Sequence, residues 1–426
     1  MHLVNILFFL VSLSHDVLSQ SLHFNTLVLP VTKDANTSLH KVSWWHNKPT
    51  WDRESYYLID LDAPFAWKDC VVHRTKIPCL LEEGCRNTLY CEHPYCQEAH
   101  SYRNPICPSL NITAKYGCEL CAVTVLNPIS NTCKISQISF DMVDFYVTDG
   151  RNLYAGAFPG FSYPLLLSCA PSSLIRSLPK NVHGVAAFSW SNLAFPRQLY
   201  AFNMAHKFAL CLPSSSSAPG VTFLGDGPFY FTPPNLDLRT ILSYTPMIRK
   251  SSTSLGYYIK LNRISIKGTP IRLPSLKNES VKLSTIVPYT TLRSDIYNAL
   301  VLGFSKAAKN IPRVKAVKPF SLCLKANAIG SFRTGFRVPN IDLQTQSGKV
   351  WTIPGDNSMK RTRNGAACLA FVDGGLGAKD AIVIGTFQME NIFLFFDLLN
   401  QKLGFSSSLL TRGTPCSSFN FTEIAV

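Results

Sequence analysis

Two aspartates stand in an apolar stretch near the start of the chain, "YYLIDLDAPFAWKDC" at residues 56–70. Carboxylates are rarely buried unless another group pairs with them or uses them chemically. The pattern predicts a buried strand that enters a tight turn and returns toward Trp67. Asp60 and Asp62 are therefore candidates for half of a catalytic carboxylate pair, in which one acid activates a water and the other polarises a carbonyl.

A second stretch with a related pattern lies far along the chain, "KLSTIVPYTTL" at residues 282–292. The two stretches resemble the motifs of bilobed aspartic proteases, which carry Asp-Thr/Ser-Gly-Thr/Ser once per lobe. In the first stretch Asp60 stands at the aspartate position, seven residues before Trp67. The glycine and hydroxyl positions hold Asp62 and Ala63, so the first motif departs from the family pattern.

The second motif lacks its carboxylate. Ser284 stands at the aspartate position, and no acidic residue lies between Glu279 and Asp295. A serine cannot share a proton with Asp60 at neutral pH, so the pair is broken. We interpret Asp60 as a turn carboxylate that accepts backbone N–H groups, and proteolysis by Asp60 beside Ser284 stays open as an alternative.

The resemblance narrows to a plant subfamily that includes xylanase inhibitors, xyloglucan-endoglucanase inhibitors and basic 7S globulins. It extends from about residue 27 to residue 422, and "LSTIVPYTTL", "NSMKRTRNGAACLAFVDGG" and "AIVIGTFQMENIFLFFDLLNQKLGF" are among the matching stretches. It implies an all-β, bilobed, pepsin-like aspartic protease fold that is disulfide-rich and has short peripheral helices. We expect an N-terminal lobe with a cysteine-rich insertion over residues 21–230 and a C-terminal lobe over residues 231–426. The first lobe is divergent, since "CKISQISFDMVDFYVTDG" and "GVAAFSW" lack glycines that the family has.

Two local patterns in the second lobe predict particular elements. "SDIYNALVLGFSKAAKN" predicts a helix with Ser294 as N-cap and a buried stripe that includes Ile296 and Phe304. "YYIKLNRISIKGTPIRL" predicts a β-hairpin that turns at Lys267 and Gly268.

The first 20 residues predict an export signal. Their apolar run, residues 3–13, is too short to span a bilayer and favours a cleaved signal peptide over a membrane anchor. We therefore expect a soluble mature protein that is secreted to the extracellular space, or apoplast. The 14 cysteines fit an oxidising compartment.

Nine of the 14 cysteines lie between Cys70 and Cys133, and five follow. Because nine is odd, full pairing requires at least one bridge from this cluster to the rest. The segment "CRNTLYCEHPYCQEAH" mixes Cys and His, but its spacings are not those of zinc sites, so we expect disulfides and no metal. No cofactor motif occurs.

The resemblance also implies a disulfide framework of six or seven bridges. It suggests Cys323–Cys368 within the second lobe and Cys211–Cys416 between the lobes. These pairs would leave Cys169 to bond with the cluster, and Cys70 is the candidate partner.

The formal net charge of +15 suits an acidic partner. Nucleic acid is excluded because the chain is exported and has no long Lys/Arg run. An acidic protein or an acidic cell-wall polysaccharide fits, and simple solubility is the alternative. Possible glycosylation sites are Asn36, Asn111, Asn278 and Asn420.

The resemblance implies inhibition of a secreted glycoside hydrolase. Such enzymes work with two carboxylates in a cleft, and an arginine can bind a carboxylate through two hydrogen bonds. The positions that match the inhibitory loops are Arg333 in "IGSFRTGFRVP" and Arg412 in "LLTRGTPC". Arg337, Lys360 and Arg361 are second choices, and an ordinary solvated side chain is the alternative for each.

The lack of a histidine late in the sequence bears on which type of enzyme is inhibited. Xylanase-inhibiting members use a late histidine, but no histidine follows His206 here. Inhibition of a xyloglucan endoglucanase is therefore favoured over inhibition of a xylanase. The alternative function is that of an extracellular 7S-globulin-like storage or peptide- or glycan-binding protein.

Overall fold

The computed structural model describes residues 26–46, 55–69, 88–102, 104–108, 120–155, 162–232, 235–273 and 279–425. Within these ranges the chain is mostly β-structure with few helices, as the sequence predicts. The expected signal peptide, residues 1–20, lies outside the described residues. No helix in the described ranges is long and apolar enough to cross a membrane.

The strands of the first part of the chain are mostly short, and the longest, Thr132–Asp144 and Ser162–Ala170, have 13 and 9 residues. They are β1 (Thr26–Lys33), β2 (His40–His46), β3 (Ser55–Asp60), β4 (Ala66–Asp69), β5 (Ala122–Asn127), β6 (Thr132–Asp144), β7 (Tyr146–Thr148), β8 (Leu153–Ala155), β9 (Ser162–Ala170), β10 (Val182–Ala187), β11 (Lys207–Cys211), β12 (Gly220–Gly225), β13 (Tyr230–Phe231), β14 (Leu236–Asp237) and β15 (Ser243–Pro246).

The strands of the second part are shorter still. They are β16 (Tyr258–Ile259), β17 (Leu261–Ile266), β18 (Thr269–Pro270), β19 (Val281–Leu283), β20 (Thr290–Leu292), β21 (Arg313–Val314), β22 (Cys323–Lys325), β23 (Ser331–Phe332), β24 (Gly335–Phe336), β25 (Ile341–Thr345), β26 (Val350–Ile353), β27 (Met359–Arg361), β28 (Ala366–Leu369), β29 (Phe371–Asp373), β30 (Ile382–Ile384), β31 (Phe393–Asp397), β32 (Lys402–Phe405) and β33 (Glu423–Ala425). The α-helices of the described residues are α1 (Pro94–Ser101), α2 (Phe195–Gln198), α3 (Ser294–Ala307), α4 (Gly355–Ser358) and α5 (Thr386–Met389).

The largest sheet of the described residues has sixteen strands and includes both the first and the last described strand. Its main order is β15-β32-β31-β11-β12-β1-β2-β3-β10-β4-β9-β6-β5. Three further strands branch from β1: β7 pairs with β1, β8 pairs with β7, and β33 pairs with β8. Where β11 meets β31, the rings of Phe208 and Phe396 stack with centroids 4.3 Å apart. Strands from both sides of the expected lobe boundary near residue 230 thus share this sheet, and the boundary itself stays a prediction.

One strand arrangement occurs twice. β3 pairs in parallel with β10, and β10 pairs antiparallel with β4, which carries Trp67. In the second part β19 pairs in parallel with β30, and β30 pairs antiparallel with β20, which ends at Leu292. Asp60 ends β3, and Ser284 directly follows β19. The two sequence motifs therefore occupy equivalent places, as two related lobes would require.

The predicted helix is present as α3 and buries Ile296 and Phe304. The expected N-cap is wrong, because α3 already includes Ser294 and the residue before it makes no side-chain cap. The Ser294 hydroxyl instead donates a hydrogen bond of 2.6 Å to Asp373. The hydroxyl that the local pattern assigned to the N-cap therefore binds Asp373, a residue distant in the sequence.

The predicted hairpin is confirmed by the pairing of β17 with β18. Its turn residues, Lys267 and Gly268, have φ angles of 50° and 78°. Both lie in the left-handed region, which two-residue hairpin turns of this type require.

Candidate functional site

The first motif lies inside the large sheet. β3 runs between β2 and β10, and Leu58 and Ile59 are fully buried. Asp60 is 6% exposed, and its carboxylate accepts a hydrogen bond of 2.8 Å from the Asp62 backbone N–H. The Asp60 carbonyl accepts a second bond, of 2.9 Å, from the Phe188 N–H. The side chain thus makes the contact with the turn that we expect of a turn carboxylate.

The second motif meets the first through a hydroxyl group. Thr285 is fully buried, and its hydroxyl donates a hydrogen bond of 2.7 Å to the carbonyl of Ile59. Ser284 is 6% exposed, and its backbone N–H donates to the Ile384 carbonyl at 3.0 Å. The residue equivalent to Thr285 in the first motif is Leu61, which has no hydroxyl. The first motif therefore cannot donate the equivalent hydrogen bond from Leu61 to the second motif.

An ion pair between Lys282 and Asp62 also links the two motifs. Asp62 stands where the protease motif has glycine, and Lys282 lies on β19. Burial lowers the pKa of Lys282, but the charge and hydrogen bond of the Asp62 carboxylate raise it overall. Tyr258 and Asp380 make smaller contributions that also raise this pKa. Sequence reasoning missed this pair, because the two residues are 220 positions apart.

Burial raises the pKa of Asp60 to about 7, and the negative charge of Asp62 raises it as well. The Asp62 backbone N–H and the Lys282 ammonium act in the opposite direction. A carboxylate with such a pKa could act as an acid or a base. Proton sharing of the protease type, however, needs a carboxylate from the second motif, and Ser284 brings a hydroxyl.

The two arginines expected to inhibit an enzyme come from neighbouring segments. Arg333 lies in the turn of the β23–β24 hairpin, and Arg412 ends the 3-10 turn Leu409–Arg412. Both residues are exposed. Arg333 Nη1 lies 3.4 Å from the place that a Cβ on Gly413 would occupy. The loops that carry the two arginines are therefore in contact.

The β23–β24 hairpin is fixed against α4. Gly335 has a φ of 86°, and a Cβ there would lie 2.4 Å from the backbone nitrogen of Asp356. The Asp356 N–H donates a hydrogen bond of 2.8 Å to the Thr334 carbonyl. At the open end of the hairpin, the Arg337 N–H donates to the Gly330 carbonyl at 2.8 Å. Close approach and positive φ both require glycine at position 335.

An exposed aromatic residue accompanies the arginines. Phe332 is 57% exposed, and the Arg337 guanidinium lies 4.7 Å from its ring centroid. Arg361 lies similarly over Phe336, at 4.8 Å. Exposed aromatic and arginine side chains are typical of binding hot spots. Sequence reasoning missed Phe332, because an aromatic residue in a short strand is usually a core residue.

The two disulfides that the resemblance pairs in full, Cys211–Cys416 and Cys323–Cys368, are both present. Cys416 follows Arg412 by four residues, so the bridge to β11 ties down the segment that carries this arginine. Cys169 is disulfide-bonded. Cys70, its suggested partner, lies outside the described residues.

The cysteine-rich insertion contains further bridges, Cys96–Cys121 and Cys107–Cys133. His100 lies close to Cys96 and Cys121, a grouping that could suggest a metal site. The disulfide occupies both sulfurs, however, and His100 Nε2 lies 2.7 Å from the Ala122 carbonyl. This group therefore offers no thiolate ligands.

Two of the four possible glycosylation sites lie within the described residues. Asn36 and Asn420 are both exposed, as glycan attachment requires. Asn111 and Asn278 lie outside the described residues. Occupancy stays a prediction.

Comparisons with known proteins match most of the chain. Residues 49–226 match the family model "Xylanase inhibitor N-terminal", and residues 256–407 match "Xylanase inhibitor C-terminal". Gamma conglutin 1 of Prunus dulcis is 36% identical, covering 98% of this chain and 96% of that protein. Chitinase CLP of Oryza sativa subsp. japonica is 35% identical, covering 94% and 92%. The crystal structure of edgp is similar with a TM-score of 0.81 and 32% identity, covering 95% of this chain and 100% of that one.

Proposed function

Because this chain belongs to the xylanase inhibitor family, we propose that it is a secreted, catalytically inactive relative of the aspartic proteases that inhibits a cell-wall-degrading glycoside hydrolase. Inactivity follows from Ser284, which leaves Asp60 without the second carboxylate of the protease pair. The proposal includes a bilobed, pepsin-like fold with its boundary near residue 230. A xyloglucan endoglucanase is favoured over a xylanase as target, because no histidine follows His206.

The contact between the loops of Arg333 and Arg412 is the observation that carries this proposal. Arg333 Nη1 reaches within 3.4 Å of the Cβ position on Gly413, the residue after Arg412. Two exposed guanidinium groups on neighbouring, anchored loops suit the two carboxylates of a glycosidase cleft. Phe332, 57% exposed, adds an apolar anchor beside them. The net charge of +15 would speed association with an acidic enzyme.

Inhibition assays with purified xyloglucan endoglucanase and xylanase test the proposal. We expect inhibition of the endoglucanase, and we expect Arg333→Ala and Arg412→Ala each to weaken it about 10- to 100-fold. Arg176→Ala is the matched control, because Arg176 is an exposed arginine of the first part of the chain. No inhibition of either enzyme class would reject the function, and undiminished inhibition by the double variant would reject the site.

A second function is supported by the 36% identity to gamma conglutin 1. In that case the protein is an extracellular globulin of the storage type that binds peptides or glycans. Affinity capture from cell-wall extract, followed by mass spectrometry, separates the two functions by whether hydrolases are retained. Proteolysis remains the third possibility, and acidic cleavage that a pepsin-class inhibitor blocks and Asp60→Ala abolishes would overturn the proposed inactivity.

A further inference from the structure

A cavity of 350 Å³ lies between the β23–β24 hairpin, α4, β27 and the end of β1. Its volume is near the lower end of the range for small-molecule sites, about 300–1,000 Å³, and suits one small ring or chain. Five charged residues line it: Lys33, Asp356, Lys360, Arg361 and Glu390. Ser331 and Arg361 are exposed, so the cavity can be reached from solvent.

The two most buried charged residues that line the cavity, Lys33 and Glu390, form an ion pair. Lys33 Nζ lies 2.6 Å from Glu390 Oε1 and donates a hydrogen bond of 2.9 Å to the Ser214 carbonyl. Both side chains are almost fully buried, at 7% and 3% exposure. His40, behind them, is fully buried, and burial lowers its pKa to about 3, so the ring is neutral. The remaining lining charges are the cations Lys360 and Arg361 and the carboxylate of Asp356.

Lys360 lines the cavity with no acidic side chain of the described ranges in direct contact. Among the described residues, no carboxylate lies within 4.0 Å of its ammonium group, which sits 5.6 Å from the ring centroid of Phe387. Burial lowers the pKa of Lys360, the charge of Lys33 lowers it further, and the charge of Glu390 opposes both effects in part. A partly desolvated ammonium group with no carboxylate in direct contact favours an incoming anion.

Close backbone packing and buried hydrogen bonds hold the walls of the cavity in place. A Cβ on Gly355 would lie 1.9 Å from the Phe336 carbonyl oxygen, so the hairpin backbone packs directly on α4. The Asn357 side-chain amide donates hydrogen bonds of 3.0 Å and 2.8 Å to the carbonyls of Phe387 and Glu390. These bonds hold the Lys360 and Glu390 sides of the cavity at a fixed separation, which reduces the entropy lost on binding.

We propose that this cavity binds a small hydroxylated carboxylate. Its carboxylate group lies between Lys360 and Arg361, and its hydroxyl groups reach the carboxyls of Asp356 and Glu390. This chemistry belongs both to free hydroxy acids and to the uronic acid residues of acidic cell-wall polysaccharides. The β23–β24 hairpin forms one wall of the cavity, but Arg333 and Arg412, the arginines of the proposed inhibition, do not line it.

Calorimetric titration of the full chain with malate, galacturonic acid and galactose tests the proposal. We expect one or both acids to bind and the neutral sugar galactose not to bind. Binding of malate alone identifies free hydroxy acids, and binding of galacturonic acid alone identifies sugar acids. Absence of binding by both acids, or equal binding of galactose, would overturn the proposal.

Variants then locate the site. Lys360→Met keeps an unbranched apolar side chain but removes the ammonium group, and it should weaken acid binding at least about tenfold. Lys349→Met is the matched control, because Lys349 is an exposed lysine that does not line the cavity. Arg361→Gln provides a second variant and should also weaken binding. Unchanged binding in folded Lys360→Met and Arg361→Gln proteins would show that the acid binds elsewhere, whereas Arg333→Ala should leave binding intact.

Discussion

The hydroxyl of Thr285 donates a hydrogen bond of 2.7 Å to the backbone carbonyl of Ile59, 226 residues earlier in the chain. The bond is buried and joins the two motifs just beside Asp60. In a protease such a bond supports the catalytic carboxylates. Here it gives the second motif a structural role that does not depend on catalysis.

We expect Thr285→Val to lower the free energy of unfolding by about 1–3 kcal/mol, because the variant keeps the shape but leaves the Ile59 carbonyl without its donor. Chemical denaturation with the disulfides intact measures the change. Thr269→Val is the control, since Thr269 is exposed in β18 and should tolerate the change. Equal stability of both variants would contradict a structural role for the bond.

Asp60 should make the protein less stable as the pH rises. Burial raises its pKa to about 7, well above the value of an unfolded aspartate. Its stabilising contribution is therefore complete below about pH 4 and is lost as the pH rises through about 7. We expect Asp60→Asn to increase the free energy of unfolding by about 2 kcal/mol or more near pH 8, and to change it little near pH 4.

Glu390 shifts in the same direction, since burial raises its pKa against the opposing charge of Lys33. It is present in both proteins, so the difference between wild type and Asp60→Asn isolates Asp60. Thermal unfolding at several pH values measures the difference. A constant difference between about pH 4 and pH 8 would show that Asp60 is not the titrating group.

Local features of this fold could be predicted from the sequence. The alternation of apolar residues located the turn at Lys267 and Gly268, and the four-residue spacing located α3. The distance from Asp60 to Trp67 identified the first motif. Each of these features depends on residues within one element, where sequence spacing fixes which side chains share a face.

Contacts between distant residues could not be predicted in this way. The Lys282–Asp62 pair and the Lys33–Glu390 pair depend on how sheets from different parts of the chain meet. Even the local prediction for Ser294 was wrong, because Asp373 competes for its hydroxyl. The charged cavity and the contact between the arginine loops are products of the same tertiary packing.

The Lys282–Asp62 ion pair should stabilise the joined motifs by a modest amount. Its Asp62 side chain is 38% exposed, so solvent screens the interaction. We expect a double-mutant cycle of Lys282→Met and Asp62→Asn to give a coupling of about 0.5–1 kcal/mol, and a smaller one in high salt. A coupling of zero at low salt would mean that the contact is geometrically present but energetically neutral.

Phe332 should contribute to enzyme inhibition together with the arginines. Its ring is 57% exposed, is covered on one side by Arg337, and lies on a hairpin that Gly335 fixes against α4. An exposed ring on a rigid support loses little entropy when a partner covers it, so Phe332→Ala should weaken inhibition about tenfold or more without changing the thermal midpoint. Leu376→Ala is the matched control, because Leu376 is 79% exposed and lies outside the hairpin. Equal inhibition by the two variants would place the binding surface elsewhere, and a lower midpoint for Phe332→Ala alone would assign the ring to stability.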